Sequence, residues 1–459
     1  MTSNTPPNIV VVVIDTLRLD EIEQLKSSLP DFTPYSNVVS TSPWTLPSHV
    51  SLFTGLYPSE HGAHETFEVK CDEITAIRNK VPTFLFDLTK LGYNSLGFSS
   101  NIFVSPTFGF NGFGKFENWR IGWPQVLERL PQDQKDRLRR FLHSKNARDG
   151  IPLLWSSIRN DPDTLVRIGR SLGTLFRNGV SPHWPEEKGG KEAVAFVRTH
   201  IPSEPFFIFV NFLEAHEPYF RSDNLVSGLS PFPAYAYNQR VVARWVAGYR
   251  SQVPIVLQRI LRLLSDLDSL NMLENTCVIV TSDHGQLLGE HGLLGHGVFL
   301  FDELVRIPLL IRFPKDVRGV TVQSSCMSSR NIKHLVLSLA RGETRPTIAD
   351  EQDVFAESWG VFEKVHPKRQ KFAENMNPSI DGRRVCVYSQ GSNVSYNITK
   401  GLVEESRCYN GKPALSDSLL VEKCIHFAET HRKPHSERME LLGVDDAVIM
   451  DQLRRLGYV

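Results

Sequence analysis

The sequence predicts an α/β fold: a doubly wound, mostly parallel sheet, with a smaller C-terminal α+β subdomain. Three observations carry that expectation. Ile9 to Ile14 is an unbroken β-branched run ending in Asp15, the pattern of a strand buried on both faces. Similar apolar runs recur at Phe206 to Phe212, Cys277 to Thr281 and Ile307 to Phe313. Between them lie helical patterns at Val81 to Leu91, Lys191 to Thr199 and Val241 to Leu270, with apolar residues at three- and four-residue spacing. Ligands of such sheets bind beyond the carboxyl ends of the strands, where Asp15 and Asp283 both fall.

Residues 1–320 read as the principal domain and 321–459 as the small one. Within the first, 117–190 is Trp- and Arg-rich with several prolines, a helical insertion and candidate lid. In the second, Arg384 to Ser389 and Ser395 to Thr399 suggest antiparallel strands, and Ser416 to His431 a helix.

The 459 residues are 41% hydrophobic and 22% charged, an ordinary globular mix. Lys+Arg and Asp+Glu both total 51, so no global field favours nucleic acid or an anionic membrane. The six cysteines form no CxxC pair, which argues against a zinc ribbon and a dense disulfide framework. Reduced thiols are expected, with one disulfide among Cys386, Cys408 and Cys424 left open. The apolar run near the N-terminus has no basic residue before it and is too short for a signal peptide or membrane span. The expected location is therefore cytoplasmic, without membrane insertion.

Four motifs carry the chemistry. Val13 to Asp20 sets Asp15, a natural hard-metal ligand, beside Arg18, which suits screening of a substrate anion. Ser42 to His49 places Thr45 on a turn before a helix, where exposed amides favour an alkoxide, although Thr45 or Ser48 also suits a plain helix cap. Asp283-His284-Gly285, followed by His291 and His296 in a glycine-rich loop, offers a carboxylate and an imidazole to one ion. Asn211 to Tyr219 brings Glu214, His216 and Glu217 directly after a buried-strand pattern.

In this order the four motifs resemble the sulfatase-like branch of the alkaline-phosphatase superfamily, from Asn8 to Pro314, with Gly92-Tyr93, Asn101, Arg306 to Ile311 and Ala356-Glu357-Ser358. The resemblance implies that Asp15, Asp283 and His284 bind a divalent metal, that Thr45 is both ligand and nucleophile, and that His216 and His296 contact the anionic or leaving group. The chain departs from sulfatases where their Cys/Ser-x-Pro-x-Arg motif reads Thr45-Leu46-Pro47-Ser48-His49. Threonine's methyl excludes oxidation to formylglycine. The second acidic ligand is Thr16, and the expected lysine is His296. A threonine nucleophile is similar instead to phosphoethanolamine transferases, lipoteichoic acid synthases and nucleotide pyrophosphatases.

The expected reaction is therefore attack of Thr45 on a small anionic ester, phosphoester preferred to sulfate, with His216, His296 or His49 serving the leaving group or the equatorial oxygens. One ion is expected, zinc or manganese rather than calcium or magnesium. Its ligands should lie within roughly 5 Å of one another. A transferase to an alcohol acceptor and an inactive metal-cleft protein are the rival readings.

Overall fold

The computed structural model describes residues 6–64, 81–118, 188–217, 219, 232–233, 239–317, 326–346, 351–360, 382–409 and 415–431. Its strands are β1 (Asn8–Ile14), β2 (Thr33–Val39), β3 (Asn94–Ser99), β4 (Lys115–Asn118), β5 (Phe206–Phe212), β6 (Phe232–Pro233), β7 (Thr276–Ser282), β8 (Leu287–Leu288), β9 (Leu293–Gly295), β10 (Arg306–Arg312), β11 (Met327–Ser328), β12 (Asp353–Ser358), β13 (Arg384–Ser389), β14 (Ser392–Asn397) and β15 (Leu402–Cys408). Eight form one sheet in the order β11-β2-β10-β7-β1-β5-β3-β4. The β-branched run is its centre: β1 pairs in parallel with β5 and β7 and is buried along its whole length.

One strand runs against the rest. β10 pairs antiparallel with both β2 and β7. A parallel return needs a crossover, usually a helix. Between β7 and β10 the chain has only short strands, a single turn of 3₁₀ helix and the helix Asp302–Val305, so it comes back in the opposite sense.

Both faces of the sheet are covered, as the continuous apolar strands require. On one face Val10, Val12 and Ile14 join Ile208 and Val210 in a core with the helices Gly190–His200 and Gln239–Ser269. On the other, Phe53 of the helix Thr45–Thr54 packs on Phe209 (5.0 Å) and stacks on Phe84 (4.9 Å). Alternate residues of β5 thus serve opposite faces. The helix expected at Val81 to Leu91 spans Phe84–Lys90.

β12 to β15 form a separate antiparallel sheet. The segment expected at Ser395 to Thr399 starts earlier, at Ser392, because a tight turn from β13 fixes its register. One face carries the helix Asp417–Thr430, through Leu420, Cys424 and Phe427 against Val385, Val387 and Val394. Ser416 caps that helix by accepting from the Leu419 N–H at 3.4 Å. The other face shares a core with Phe299, Leu300 and Leu304, from the loop that follows β7.

The chain divides into two compact units, residues 1–119 with 187–459, and 120–186. The expected 117–190 insertion lies outside the described residues from 119 to 187. Cys277, Cys326, Cys386, Cys408 and Cys424 are free thiols. Among the described residues, no helix is long and apolar enough to cross a membrane.

Gly285 is where the sheet end and this loop touch. Its N–H donates to the Leu304 carbonyl at 2.7 Å, and an added Cβ would lie 2.1 Å from the Glu303 carbonyl oxygen. Gly285→Ala should therefore destabilise the protein by roughly 1–3 kcal/mol, read as a lower urea midpoint.

Candidate active site

The parallel register sets Ile14 opposite Ser282, so the chain leaves β1 and β7 side by side with Asp15 next to Asp283 and His284. The corner after β1 is strained: Thr16, a β-branched residue, has a φ of 62°. Hydrogen bonds from distant elements hold it. The Thr16 N–H donates to Asp283 Oδ1 (3.2 Å), the Leu17 N–H to Ser282 Oγ (2.9 Å) and the Arg18 N–H to Tyr249 Oη (2.8 Å). Tyr249 Oη donates in turn to the Thr16 carbonyl at 3.2 Å.

Thr45 enters from the opposite face as the first residue of its helix, after Trp44 in extended conformation. Its side chain caps nothing; Oγ1 instead donates to Asp15 Oδ2 at 3.3 Å and lies 3.4 Å from His284 Nε2. Asn101, after β3, donates to Asp15 Oδ2 (2.8 Å) and to Thr45 Oγ1 (3.3 Å). Asp283 Oδ2 lies 3.5 Å from His284 Nε2, and Asp15 Oδ1 lies 3.8 Å from it. His284 Nδ1 donates to the Gly285 carbonyl at 2.9 Å, which leaves Nε2 bare towards the two acids.

This group is short of positive charge. Asp15 Oδ1 and Asp283 Oδ2 are buried and accept no hydrogen bond from the described residues. Burial and the neighbouring Asp283 push Asp15 up to about 8. Burial pushes Asp283 up to about 7 and holds His284 below the usual imidazole range. Ligand atoms of Asp15, Asp283 and His284 lie within 4.8 Å of one another. Two unpartnered carboxylate oxygens with one imidazole nitrogen are a donor set that fits a divalent cation.

His216 and His296, remote in sequence, adjoin this group: the His296 ring centre is 4.6 Å from that of His284 and 5.0 Å from that of His216. Burial pushes His216 down to about 3 and His296 well below its ordinary value. Of the other two expected site residues, His49 lies against the site, its Nδ1 3.5 Å from Asp283 Oδ2, while Arg18 pairs with neighbouring groups. His49 Nδ1 donates to the Thr45 carbonyl (2.9 Å) and its Nε2 accepts from Asn211 (3.3 Å), so the ring braces the helix with both nitrogens taken. Arg18, expected to screen a substrate anion, commits its guanidinium to Asp20 (2.8 Å), Glu290 (2.9 Å) and the Gln286 carbonyl (2.6 Å).

Other neighbours carried no such signal in the sequence. Gln286 bonds both Glu217 and His296, and the buried Lys188 donates to the carbonyls of Glu214 (3.1 Å) and His216. Burial lowers Lys188 to about 7. Glu214 and Glu217 lie in the motif that follows the apolar run before Asn211, whereas Lys188 and Gln286 lie in none.

A sequence model of the Sulfatase family matches residues 7–342. An N-acetylglucosamine-6-O-sulfatase of Bacteroides thetaiotaomicron is 37% identical over 82 residues, 18% of this chain and 14% of that protein. An ulvan-active sulfatase of Formosa agariphila is 26% identical over 336 residues, 70% of this chain and 59% of that protein. The chain thus spans less than two thirds of either relative. Among solved structures, a phosphonate monoester hydrolase of Agrobacterium radiobacter shares the fold, with a TM-score of 0.56 and 15% identity over 92% of this chain and 94% of that one. Because the family match runs across every strand end that frames Asp15, Thr45 and Asp283, the chain belongs to the Sulfatase family.

Proposed function

We propose that the chain is a metal-dependent ester hydrolase that cleaves phosphate or sulfate esters, phosphoesters by preference, through a covalent intermediate on Thr45. The observation that carries this reading is the place of Thr45 Oγ1, at a helix N-terminus, 3.3 Å from Asp15 Oδ2 and 3.4 Å from His284 Nε2. A hydroxyl there is oriented by Asp15 and Asn101 and sits where helix amides stabilise negative charge.

Asp15, Thr45, Asp283 and His284 would hold one divalent ion, zinc or manganese rather than calcium or magnesium given the imidazole. Such an ion lowers the pKa of a bound hydroxyl and polarises the ester. Thr45 Oγ1 forms a bond to phosphorus or sulfur as the bond to the leaving oxygen breaks. His216 and His296 take the proton from the attacking oxygen and return it to the leaving oxygen. Water then releases the group from Thr45. The preference for phosphoesters follows from Thr45 itself, which cannot become formylglycine. The relatives named above are sulfatases, which supports ester hydrolysis, and a phosphonate monoester hydrolase shares the fold.

Three measurements test this. Elemental analysis should find one ion per chain, and Asp283→Asn should lose it; full occupancy in the variant would remove these ligands from the account. Affinity should fall as pH drops through about 8 and then about 7, because Asp15 and Asp283 must each give up a proton to bind the cation. Calorimetry in buffers of different ionisation enthalpy reads the protons released. Finally, Thr45→Ala should lose turnover roughly 1,000-fold or more and leave the fold intact, while Thr45→Ser keeps part of it. Wild-type rates in Thr45→Ala would mean that water attacks directly.

A further inference from the structure

One acid beside the site has no part in the reaction above. Glu217 is 1% exposed, and its Oε2 lies 3.6 Å from His296 Nδ1 and 3.7 Å from His216 Nδ1. The same oxygen accepts from Gln286 Nε2 at 2.8 Å. Burial pushes Glu217 up to about 8; once ionised above that pH its carboxylate only accepts, so the Gln286 amide turns its NH₂ towards it. The NH₂ also donates to Tyr219 Oη at 3.2 Å. The Gln286 carbonyl is thereby aimed at His296 Nδ1, 2.7 Å away. A carbonyl cannot donate, so the proton must sit on Nδ1, and His296 Nε2 is left bare, buried and without a partner. His216 is fixed in the same sense by the backbone of Glu217, whose carbonyl accepts from Nδ1 at 2.5 Å.

Glu217, His216 and His296 also bring ligand atoms within 4.8 Å of one another, as a second cation site would. The hydrogen bonds argue otherwise. Asp15 and Asp283 each present a bare buried oxygen, whereas Glu217 presents none, and the Nδ1 atoms nearest to it both carry protons.

We propose that Glu217 is a positioning residue: acting through Gln286, it fixes the Nδ1–H tautomer of His296 and so presents a bare Nε2 beside His284. This rests on the reading of His296 as a group that acts on the ester. In that tautomer Nε2 accepts a proton from the attacking hydroxyl or from water and returns it to the leaving oxygen. In the other tautomer Nε2 already carries a proton and cannot accept one. Arg18 belongs to the same relay, since its guanidinium holds the Gln286 carbonyl of the main chain at 2.6 Å.

The test is nitrogen-15 NMR of the metal-loaded protein, with the His296 signals assigned by His296→Asn. Recorded above about pH 8, where Glu217 is ionised, the wild type should show a protonated Nδ1 and a bare Nε2. Glu217→Gln leaves two amides facing each other and the Gln286 orientation undetermined. His296 should then become a mixture of tautomers, and kcat should fall roughly 10- to 100-fold with KM little changed. If Glu217→Gln does not fold by circular dichroism, Gln286→Met, which cuts the relay and leaves the acid, should give the same mixture. A wild-type His296 protonated on Nε2, or an unchanged tautomer and kcat in a folded Glu217→Gln, would overturn the proposal. So would a second metal ion lost only in Glu217→Gln, since Glu217 would then be a ligand. The tautomer is readable without any ester turning over, so failure of the relay and failure of the hydrolase reading are separate results.

Discussion

Two buried carboxylates side by side set the terms for everything around them. Asp15 and Asp283 are fully or almost fully out of solvent, each with one oxygen that nothing among the described residues satisfies. An isolated buried charge of this kind is costly, and two of the same sign more so. The chain offsets the inner oxygens only: Asn101 and Thr45 donate to Asp15, and two backbone amides donate to Asp283. The outer oxygens accept no hydrogen bond from the described residues, and His284 Nε2 is held bare beside them.

The remaining architecture keeps that pair in place. Parallel pairing of β1 with β7 fixes the separation of the two strand ends, and β5 on the other side of β1 brings Asn211 and the His216 loop to the same edge. The strain at Thr16 is sustained by Tyr249, from a helix packed on the far side of β1. Thr45 arrives from the opposite face, on a helix locked down by Phe53 and by His49. Thr45 and the acids and imidazole beside it thus come from rigid elements on both layers, which suits chemistry that depends on fixed geometry.

What the sequence made legible was what sits beside a strong local pattern. Asp15 and Asp283 each end an apolar run, and Thr45 opens a helix, so their place at the strand ends follows from period and burial alone. The antiparallel sense of β10 was not legible, because an apolar run reads alike in either direction. Nor were the side-chain partners. Tyr249 lies 231 residues from the amide it holds, and Ser282 lies 265 from its own. Arg18 and His49 were read for their chemistry, but only the folded chain shows that their nitrogens are already committed to other groups. Glu217 stood in a motif but with no role read for it, Gln286 stood in none, and their effect is visible only once the direction of each hydrogen bond is worked through.

The central claim is that Asp15, Thr45, Asp283 and His284 enclose the metal ion that serves the reaction. Crystals grown with zinc or manganese, with diffraction recorded at the absorption edge of the added metal, test it most directly. The account predicts one strong anomalous peak bounded by those four side chains, with Thr45 Oγ1 among its ligands. A peak centred instead among His216, Glu217 and His296, or one at the strand ends with Thr45 turned away, would contradict it.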